Sequence, residues 1–371
     1  MVRQSGKWSI TRRSVVLSLG TATLAACQTA RLVPTQSRRP GVPVQLSPAF
    51  FDRSVVGLRP GRIGGFRLAS DKLGEKLVVH NYGHGGDGYT LSWPCARWAA
   101  DQISKTHPGS VGIIGAGVSG LTTAWLLAQR GINVSIYAEQ FSPDTTSNIA
   151  GAIILTGPNY RSGENANSGP SDDAINADVI AGFTPFLIDP RYGVYWIDHF
   201  QMRPLRQDGQ STYEEFLGRR VTSKFRTIMV DPNLYLAALM QDLSAMGVQF
   251  WTKKFTTLGD LARLPHTALV NCSGLGAGIL FDDENMYPIR GQLTLLKPQP
   301  EIDYSYISRQ PGGILYMFPR RENIVLGGTH QRGNAHLLPE PDEAERQLRG
   351  HAELMASLRG VPRISPDDAQ N

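Results

Sequence analysis

A glycine-rich turn near the middle of the chain has the residue types and spacing that bind a dinucleotide. The turn consists of Gly115, Ala116, Gly117, Val118, Ser119 and Gly120. The first glycine permits a tight turn, the second lets the backbone approach a pyrophosphate, and the third allows a helix to pack closely on a strand. Free N–H groups at the start of that helix bind phosphate oxygens. The turn is therefore expected to hold a pyrophosphate.

The elements on both sides of this turn favour the same interpretation. Residues 111–114 are an apolar strand, a helical run continues to Arg130, and residues 133–137 form a second strand. Glu139 follows about 20 residues past the last glycine, where an acid accepts hydrogen bonds from the adenosine ribose. The alternative is a βαβ unit that binds nothing, and the turn alone would be a weak signal. With strand, helix, strand and acid in register, the pattern indicates a dinucleotide site for either NAD or FAD.

Later segments predict the rest of the fold. A helix begins at Asp231-Pro232, and strands at 248–251 and 268–272 continue the α/β pattern. Short strands at 292–296, 314–318 and 323–326 then follow one another without a helical period, which predicts an antiparallel sheet. The predicted fold class is α/β, with a doubly wound, mainly parallel, Rossmann-like sheet and an antiparallel-sheet substrate domain.

Composition and charge exclude several classes of protein. The chain has 371 residues, of which 41% are hydrophobic and 19% charged, as in globular proteins. No apolar run approaches the ~20 residues of a membrane span, which excludes a multi-span membrane protein. The net charge of +5 is concentrated in the first 26 residues, which hold four basic residues and no acid, so it does not indicate a nucleic-acid partner. Three cysteines are too few for a disulfide scaffold or a zinc cluster.

The N-terminal residues are typical of an export signal. Arg12 and Arg13 precede a short apolar stretch that ends at Ala26, which is the pattern of a twin-arginine (Tat) signal peptide. The stretch closes on Leu24-Ala25-Ala26-Cys27, which resembles the lipobox of bacterial lipoproteins. The alternative is an ordinary buried helix. We expect a protein exported across the bacterial inner membrane to the periplasm or cell surface, with peripheral membrane attachment through a lipidated Cys27 and a tether over residues 28–53.

Further segments resemble the FAD-dependent D-amino-acid oxidases, a family that includes the D-aspartate oxidases. The matching segments besides the glycine-rich turn are Gly57–Pro60, His80–Thr90, Ile136–Glu139, Thr145–Gly151, Val270–Gly274, Arg290–Gln292 and Tyr316–Pro319. The resemblance implies FAD as cofactor, a small-molecule D-amino acid as substrate and molecular oxygen as acceptor. It implies hydride transfer from the substrate Cα to flavin N5, with a 2-oxo acid, ammonia and hydrogen peroxide as products.

The resemblance also assigns individual residues. Arg59 matches the arginine that pairs bidentately with the substrate carboxylate, Tyr316 the tyrosine that contacts the same carboxylate, and the Gly86 carbonyl the acceptor of the substrate amine. Further cofactor contacts are implied at Gly85, Gly88, Tyr89, Thr90, Thr145, Thr146, Ser147, Gly151, Ala152, Phe255 and Ser273. His80 and His84 have no third ligand and lie in a loop, so no metal site is predicted.

The order of these segments differs from that of the family. The Gly57–Pro60 and His80–Thr90 segments lie at the C-terminal end of the family's chains, and here they precede the glycine-rich turn. The chain therefore resembles a circular permutant. The predicted organisation is 1–27 signal, 28–53 tether, 54–160 FAD-binding (54–105 and 111–160), 161–225 substrate domain, 226–282 FAD-binding, and 283–371 substrate domain.

Two departures leave alternatives for the function. The segment between Tyr304 and Tyr316 is shorter than the lid of the animal enzymes, and Gly312 stands where an active-site tyrosine would lie, which predicts a more open pocket. The membrane attachment favours, as one alternative, an amino-acid or amine dehydrogenase that passes electrons to a membrane acceptor. A non-catalytic flavin-binding lipoprotein is the other. Neutral and acidic D-amino acids both remain candidate substrates, and the oligomeric state remains open.

Overall fold

The computed structural model describes residues 42–156, 171–202, 214–216, 219–221, 223–310 and 312–358. These residues fall within one compact unit, Pro40–Asn371. The expected export signal, Cys27 and most of the expected tether lie outside the described residues. Within the described part of the chain, no helix is both long enough and apolar enough to cross a membrane.

The described elements are named here in chain order. The strands are β1 Phe51–Arg62, β2 Arg67–Leu73, β3 Lys76–Tyr82, β4 Ser110–Ile114, β5 Asn133–Ala138, β6 Val194–Met202, β7 Glu214–Phe216, β8 Arg219–Val221, β9 Ser223–Val230, β10 Gln249–Thr252, β11 Ala268–Asn271, β12 Met286–Leu296, β13 Tyr304–Gln310, β14 Gly313–Pro319, β15 Ile324–Gly327 and β16 Gln331–Arg332. The helices are α1 Gly88–Ser104, α2 Val118–Gln129, α3 Thr146–Ile149, α4 Asp172–Phe183, α5 Pro232–Ala245, α6 Leu258–Ala262, α7 Gly276–Leu280 and α8 Pro341–Leu358. Single 3₁₀ turns occur at Pro48–Phe50, Thr184–Phe186 and Pro190–Tyr192.

The first sheet is the predicted parallel one. Its six strands run in the order β10-β5-β4-β11-β3-β2, and every pair is parallel except β2 with β3. The central strands are apolar along their length because helices cover both faces, as parallel sheets require. Ile113 on β4, Ile136 on β5 and Val270 on β11 are fully buried. This confirms the predicted α/β fold class and the strands around the glycine-rich turn.

The second sheet is mainly antiparallel, as predicted, and has eight strands. Its order is β1-β12-β15-β14-β13-β6-β9, with β16 also paired to β12, and only β13 and β6 are parallel to each other. One expected boundary differs. Residues 54–62, which the sequence grouped with the FAD-binding segment 54–160, belong to β1 and pair with β12, for example Arg59 with Ile289. β1 and β12 are far apart in the chain, so no local sequence pattern predicts that they pair.

The segment from β1 to α1 therefore contributes to both sheets. β1 is an edge strand of the antiparallel sheet, whereas β3 lies between β11 and β2 in the parallel sheet. Helix α1 follows β3 after a short glycine-rich loop, packs on α2, and leads through residues 105–109 into β4. This path brings the ends of β1, β3 and β4 to one region of the molecule.

Candidate active site and dinucleotide cavity

The glycine-rich turn has the tight geometry that its sequence predicts. Gly115 adopts a φ of +110°, and a Cβ atom there would lie 2.8 Å from the carbonyl carbon of Cys272. A Cβ atom on Gly120 would overlap the carbonyl oxygen of Gly115. Gly115 is thus required by backbone conformation and close packing, and Gly120 is required by the contact between α2 and the turn.

A cavity of about 540 Å³ runs from this turn to the antiparallel sheet. Its volume is in the usual range for a cofactor site. The predicted site residues that line it are Arg59, Gly86, Gly88, Tyr89, Gly115, Ala116, Gly117, Val118, Ser119, Glu139, Thr145, Thr146, Ser147, Gly151, Phe255 and Ser273. Residues from both sheets therefore line one continuous cavity. The glycine-rich turn leaves room in it for a pyrophosphate because its glycines have no side chains. The residues present fit a bound dinucleotide such as FAD.

Five predicted site residues lie beside the cavity and do not line it. They are Gly85, Thr90, Gly120, Ala152 and Tyr316. The Thr90 side chain is buried, and its hydroxyl accepts a hydrogen bond from the N–H of Leu155. Ala152 is buried with a φ of +58°. Gly85 donates its N–H to the carbonyl of Pro60 at 2.8 Å, which ties the glycine-rich loop after β3 to β1.

Two of the three consecutive hydroxyls after β5 already have protein partners. Ser147 Oγ accepts a hydrogen bond from the N–H of Val118 at 3.0 Å, at the N-terminus of α2. Thr145 Oγ1 donates to Asn148 Oδ1 at 2.7 Å within a capping box on α3. These bonds fix the loop against the phosphate-binding turn, and Thr146 remains exposed.

The far end of the cavity carries a charged pair that sequence reasoning missed. Glu139 follows β5, as predicted, and pairs with Lys254 at 2.8 Å, both side chains being more than half exposed. Lys253, Lys254 and Thr256 line the cavity with the predicted Phe255, whose ring packs edge-to-face on Tyr137. The sequence contains a signal for them: residues 253–256 directly follow β10, and the carboxyl ends of parallel strands share the edge of the sheet where a cofactor binds.

At the other end, Arg59 and Tyr316 meet above the antiparallel sheet. Arg59 donates from Nη1 to the carbonyl of Thr329 at 3.1 Å, and its Nη2 lies 3.5 Å from the Tyr316 hydroxyl. The Tyr316 ring stacks on Phe318 with a centroid distance of 4.6 Å. Among the described residues, no carboxylate lies within ion-pair distance of Arg59. The guanidinium therefore keeps N–H donors for an anionic ligand.

The glycine-rich loop between β3 and α1 packs directly on this arginine. Gly83, Gly85 and Gly86 have φ values of +85°, +67° and +146°, which L side chains rarely adopt. A Cβ atom on Gly86 would lie 3.3 Å from Arg59 Cδ. The main chain of Gly86 thus adjoins the guanidinium, so a group that binds Arg59 also comes close to this loop.

A buried ion pair supports the loop from below, and sequence reasoning did not find it. Asp283 accepts hydrogen bonds from Arg62 Nε at 2.8 Å and from the Tyr82 hydroxyl at 2.7 Å. Burial raises the pKa of Asp283, but the hydrogen bonds from Arg62 and Tyr82 outweigh it and lower the pKa to about 2. The carboxylate is charged at neutral pH. Arg62 in turn lies against Gly83, where a Cβ atom would come within 3.0 Å.

The two histidines of the loop segment are buried and neutral. Burial lowers the pKa of His80 and of His84 to about 4. His80 contacts Asp71 Oδ2 at 3.1 Å and Asn271 Nδ2 at 3.2 Å, and His84 stacks on Phe66. His80 lies on β3 and not in the loop, and the buried Nε2 of His84 has no hydrogen-bond partner among the described residues.

β13 and β14, which carry Tyr304 and Tyr316, are antiparallel neighbours. β13 ends at Gln310 and β14 begins at Gly313, so only residues 311–312 connect them. Tyr304 is buried in the sheet, and Tyr316 faces Arg59. The two tyrosines therefore lie on paired strands.

Comparison with known proteins decides the family. Residues 110–366 match the family described as FAD dependent oxidoreductase, DAO, and this range is well over half of the 371 residues. The chain belongs to the DAO family of FAD-dependent oxidoreductases. FAD is its cofactor, and the glycine-rich turn, Glu139 and the loop after β3 provide the matching cavity.

Its relatives in this family include two named amino-acid oxidases. Human D-aspartate oxidase is 28% identical over 273 residues, which cover 68% of this chain and 78% of the human protein. The D-amino-acid oxidase of Rubrobacter xylanophilus is 28% identical over 265 residues, which cover 67% of this chain and 78% of that protein. Among solved structures, glycine oxidase from Geobacillus kaustophilus superposes with a TM-score of 0.51 at 15% identity, covering 66% of this chain and 77% of that one. The structural match supports the fold.

Proposed function

We propose that this DAO-family protein is an oxidase of D-amino acids. The reaction consumes a D-amino acid, water and O₂ and produces a 2-oxo acid, ammonia and hydrogen peroxide. When bound, FAD supplies the acceptor for the hydride that leaves the substrate Cα and returns the electrons to O₂. The protein then has to bind the amino acid, orient its Cα–H and exclude other orientations.

The observation that carries this proposal is the arginine above the antiparallel sheet. Arg59 is half-buried, lines the cofactor cavity and has no carboxylate within ion-pair distance among the described residues. A planar guanidinium binds a planar carboxylate through two parallel hydrogen bonds. The nearby Tyr316 hydroxyl adds a further hydrogen-bonding group beside the guanidinium. We name Arg59 and Tyr316 the carboxylate clamp.

The glycine-rich loop supplies the second point of contact. In an α-amino acid the carboxylate and the amine are attached to one carbon, so their acceptor groups must be adjacent. Gly86 packs on the side chain of Arg59, and we propose that its carbonyl accepts a hydrogen bond from the substrate amine. Helix α1 begins at Gly88, and its N-terminal dipole favours negative charge that develops beside it. When the carboxylate and the amine are both held, the hydrogen and the side chain on Cα exchange places between the D and the L enantiomer. Only one enantiomer then directs its Cα–H toward the flavin.

Peroxide release from the FAD-saturated protein tests the proposal. We expect peroxide with D-alanine or D-aspartate and none with the L enantiomers. Arg59→Leu should retain FAD and raise the KM for the D substrate by about two orders of magnitude or more, because two charge-assisted hydrogen bonds are lost. Normal oxidation by Arg59→Leu would contradict the assignment of the clamp.

The same protein under anaerobic conditions separates the alternatives. Bleaching of the flavin absorbance by a D-amino acid without peroxide in air would indicate a dehydrogenase with a membrane acceptor. A yellow protein that no D-amino acid bleaches would favour a non-catalytic flavoprotein. Both results would overturn the oxidase proposal.

We also propose that the protein is exported and lipid-anchored. This rests on Arg12, Arg13 and the Leu24–Cys27 segment, which lie outside the described residues. Mass spectrometry of the mature N-terminus should find an acylated Cys27, and Cys27→Ser should release the protein from membranes. An unprocessed Met1 on the membrane-bound protein would contradict this.

Circular permutation is a further proposal about the same chain. Two observations support it: the family match begins at residue 110, and residues 51–104 nevertheless supply strands to both sheets. A chain that begins at Ser110 and carries residues 51–104 after α8, joined through a flexible linker, should fold, bind FAD and give the same spectrum. Failure of that rearranged chain to bind FAD with several linker lengths would contradict the proposal.

A further inference from the structure

The two residues of the carboxylate clamp come from strands that are not neighbours in the sheet. Arg59 lies on β1 and Tyr316 on β14, and two strands, β12 and β15, separate them. Adjacent strands are about 4.8 Å apart, so β1 and β14 are about 14 Å apart. The two side chains nevertheless meet, with Nη2 3.5 Å from the hydroxyl oxygen. Both must therefore lie flat across the strands between them.

Glycines occupy the positions beneath both side chains. A Cβ atom on Gly291 of β12 would lie 2.6 Å from Arg59 Cζ, and one on Gly327 of β15 would overlap the Tyr316 ring and hydroxyl. Gly327 pairs directly with Tyr316, and Gly291 pairs directly with Gly57 of β1. Glycine weakens a strand interior, and its presence there marks a close approach by another group.

The backbone itself does not require glycine at these two positions. Neither Gly291 nor Gly327 is among the glycines with positive φ, so an alanine would meet no conformational barrier. The requirement is for space above the strand. This separates them from Gly85 and Gly86, whose positive φ values are ones that residues with a side chain rarely adopt.

We infer that Gly291 and Gly327 are positioning residues for the carboxylate clamp. Their missing side chains form the surface on which the Arg59 guanidinium and the Tyr316 ring lie, and this keeps the guanidinium, which lines the cavity, next to the Tyr316 hydroxyl. The inference rests on the proposed function, because it assumes that the clamp binds a carboxylate. An added methyl group at either position would lift one side chain and separate the two.

Propionate binding provides the test, because propionate is D-alanine without its amine and binding needs no turnover. The flavin absorbance of the FAD-loaded protein reports the dissociation constant. Gly291→Ala and Gly327→Ala should each raise the Kd for propionate about tenfold or more, the effect of losing one hydrogen bond to a charged group. They should raise the KM for D-alanine by a similar factor and affect kcat less. Gly109→Ala, at an exposed glycine with no atom within 4 Å of its Cβ position, is the matched control and should change nothing.

A double-mutant cycle distinguishes positioning from general packing. With Tyr316→Ala the space above Gly327 is empty, so adding Gly327→Ala should not weaken propionate binding further. If Gly327 had only a structural role, Gly327→Ala would raise the Kd for propionate by the same factor in the wild-type and the Tyr316→Ala protein. If Gly327→Ala alone fails to retain FAD, the double variant should recover it, and failure to recover would overturn the inference.

The remaining outcomes separate this inference from the proposed function. Wild-type protein that does not bind propionate would contradict the carboxylate clamp itself. Wild-type protein that binds it with the same Kd as Gly291→Ala and Gly327→Ala would contradict the positioning role alone.

Discussion

Replacing Asp283 with asparagine should lower the stability of the protein far more than its small change in volume suggests. The Asp283 and Arg62 side chains are only 3% and 1% exposed, and they pair at 2.8 Å. Asparagine keeps the shape of the side chain but removes the charge, so Arg62 loses this ion pair in a buried place. Removing one partner of a buried pair costs about 3–5 kcal/mol when the other charge is left uncompensated. Because Arg62 also donates to the carbonyls of Ile63 and Gly65, we expect the free energy of unfolding to fall by about 2 kcal/mol at pH 7, the effect of losing a hydrogen bond to a charged group.

The same residue gives the stability of the wild-type protein an acid dependence. The pKa of Asp283 falls from its usual 3.8 to about 2 in the folded protein. A carboxyl with a lowered folded-state pKa contributes stability above its unfolded pKa, and this contribution is lost as the pH falls through the folded value. The difference corresponds to about 2 kcal/mol, present in full above about pH 4 and lost towards pH 2. Asp283→Asn should lack this component.

Denaturant unfolding of the FAD-loaded protein, followed by tryptophan fluorescence at pH 7 and pH 3, measures both effects. Asp101→Asn is the matched control, because Asp101 pairs with Arg130 at 2.6 Å on the surface, where the side chains are 52% and 31% exposed. An exposed pair contributes only about 0–1 kcal/mol. Equal losses for Asp283→Asn and Asp101→Asn, or an unchanged acid dependence in Asp283→Asn, would refute the reasoning.

Three further predictions concern the clamp and the cofactor. Arg59→Lys keeps the charge but loses the bidentate geometry, so kcat/KM for D-alanine should fall about 10- to 100-fold; an unchanged value in the peroxide assay would argue against a planar pair. Gly120→Ala should abolish FAD binding, as followed by flavin fluorescence, because its Cβ atom overlaps the Gly115 carbonyl; a normally yellow variant would show that α2 can move. Lys254→Met should tighten FAD binding a few-fold, because it frees Glu139 from its partner at 2.8 Å for the ribose; weaker binding on titration with FAD would instead mean that Lys254 contacts the cofactor.

The sequence predicts the dinucleotide half of the molecule well because the information there is local. The turn from Gly115 to Gly120, its flanking strands and Glu139 lie within one short βαβ unit, and each residue has its role within that unit. Arg59 and Tyr316 were found differently, through a resemblance to whole segments. Their spacing along the chain contains no signal, since their contact depends on four strands of one sheet.

Features that arise from long-range pairing were missed for a physical reason. The buried group of Arg62, Tyr82 and Asp283 joins β1, β3 and the turn before β12, and each residue alone resembles an ordinary surface residue. The membership of β1 in the antiparallel sheet likewise depends on its register with β12. Gly291 was noticed only as part of a motif, and its role becomes visible once the arginine is seen to lie across it.

Residues 51–104 precede most of their partner strands in the chain, and this limits when their contacts can form during synthesis. These residues leave the ribosome early, yet among the described strands β1 pairs with β12, and β3 pairs with β11 as well as with β2. Until the chain has been made as far as β12, β1 has no strand partner among the described elements, although α1 can already pack on α2 and β3 can pair with β11. Contacts so distant in sequence form slowly, because the loop must close before they stabilise anything. We therefore expect the antiparallel sheet around β1 to form late, and a chain that ends before β12 has neither a clamp nor a complete cofactor cavity.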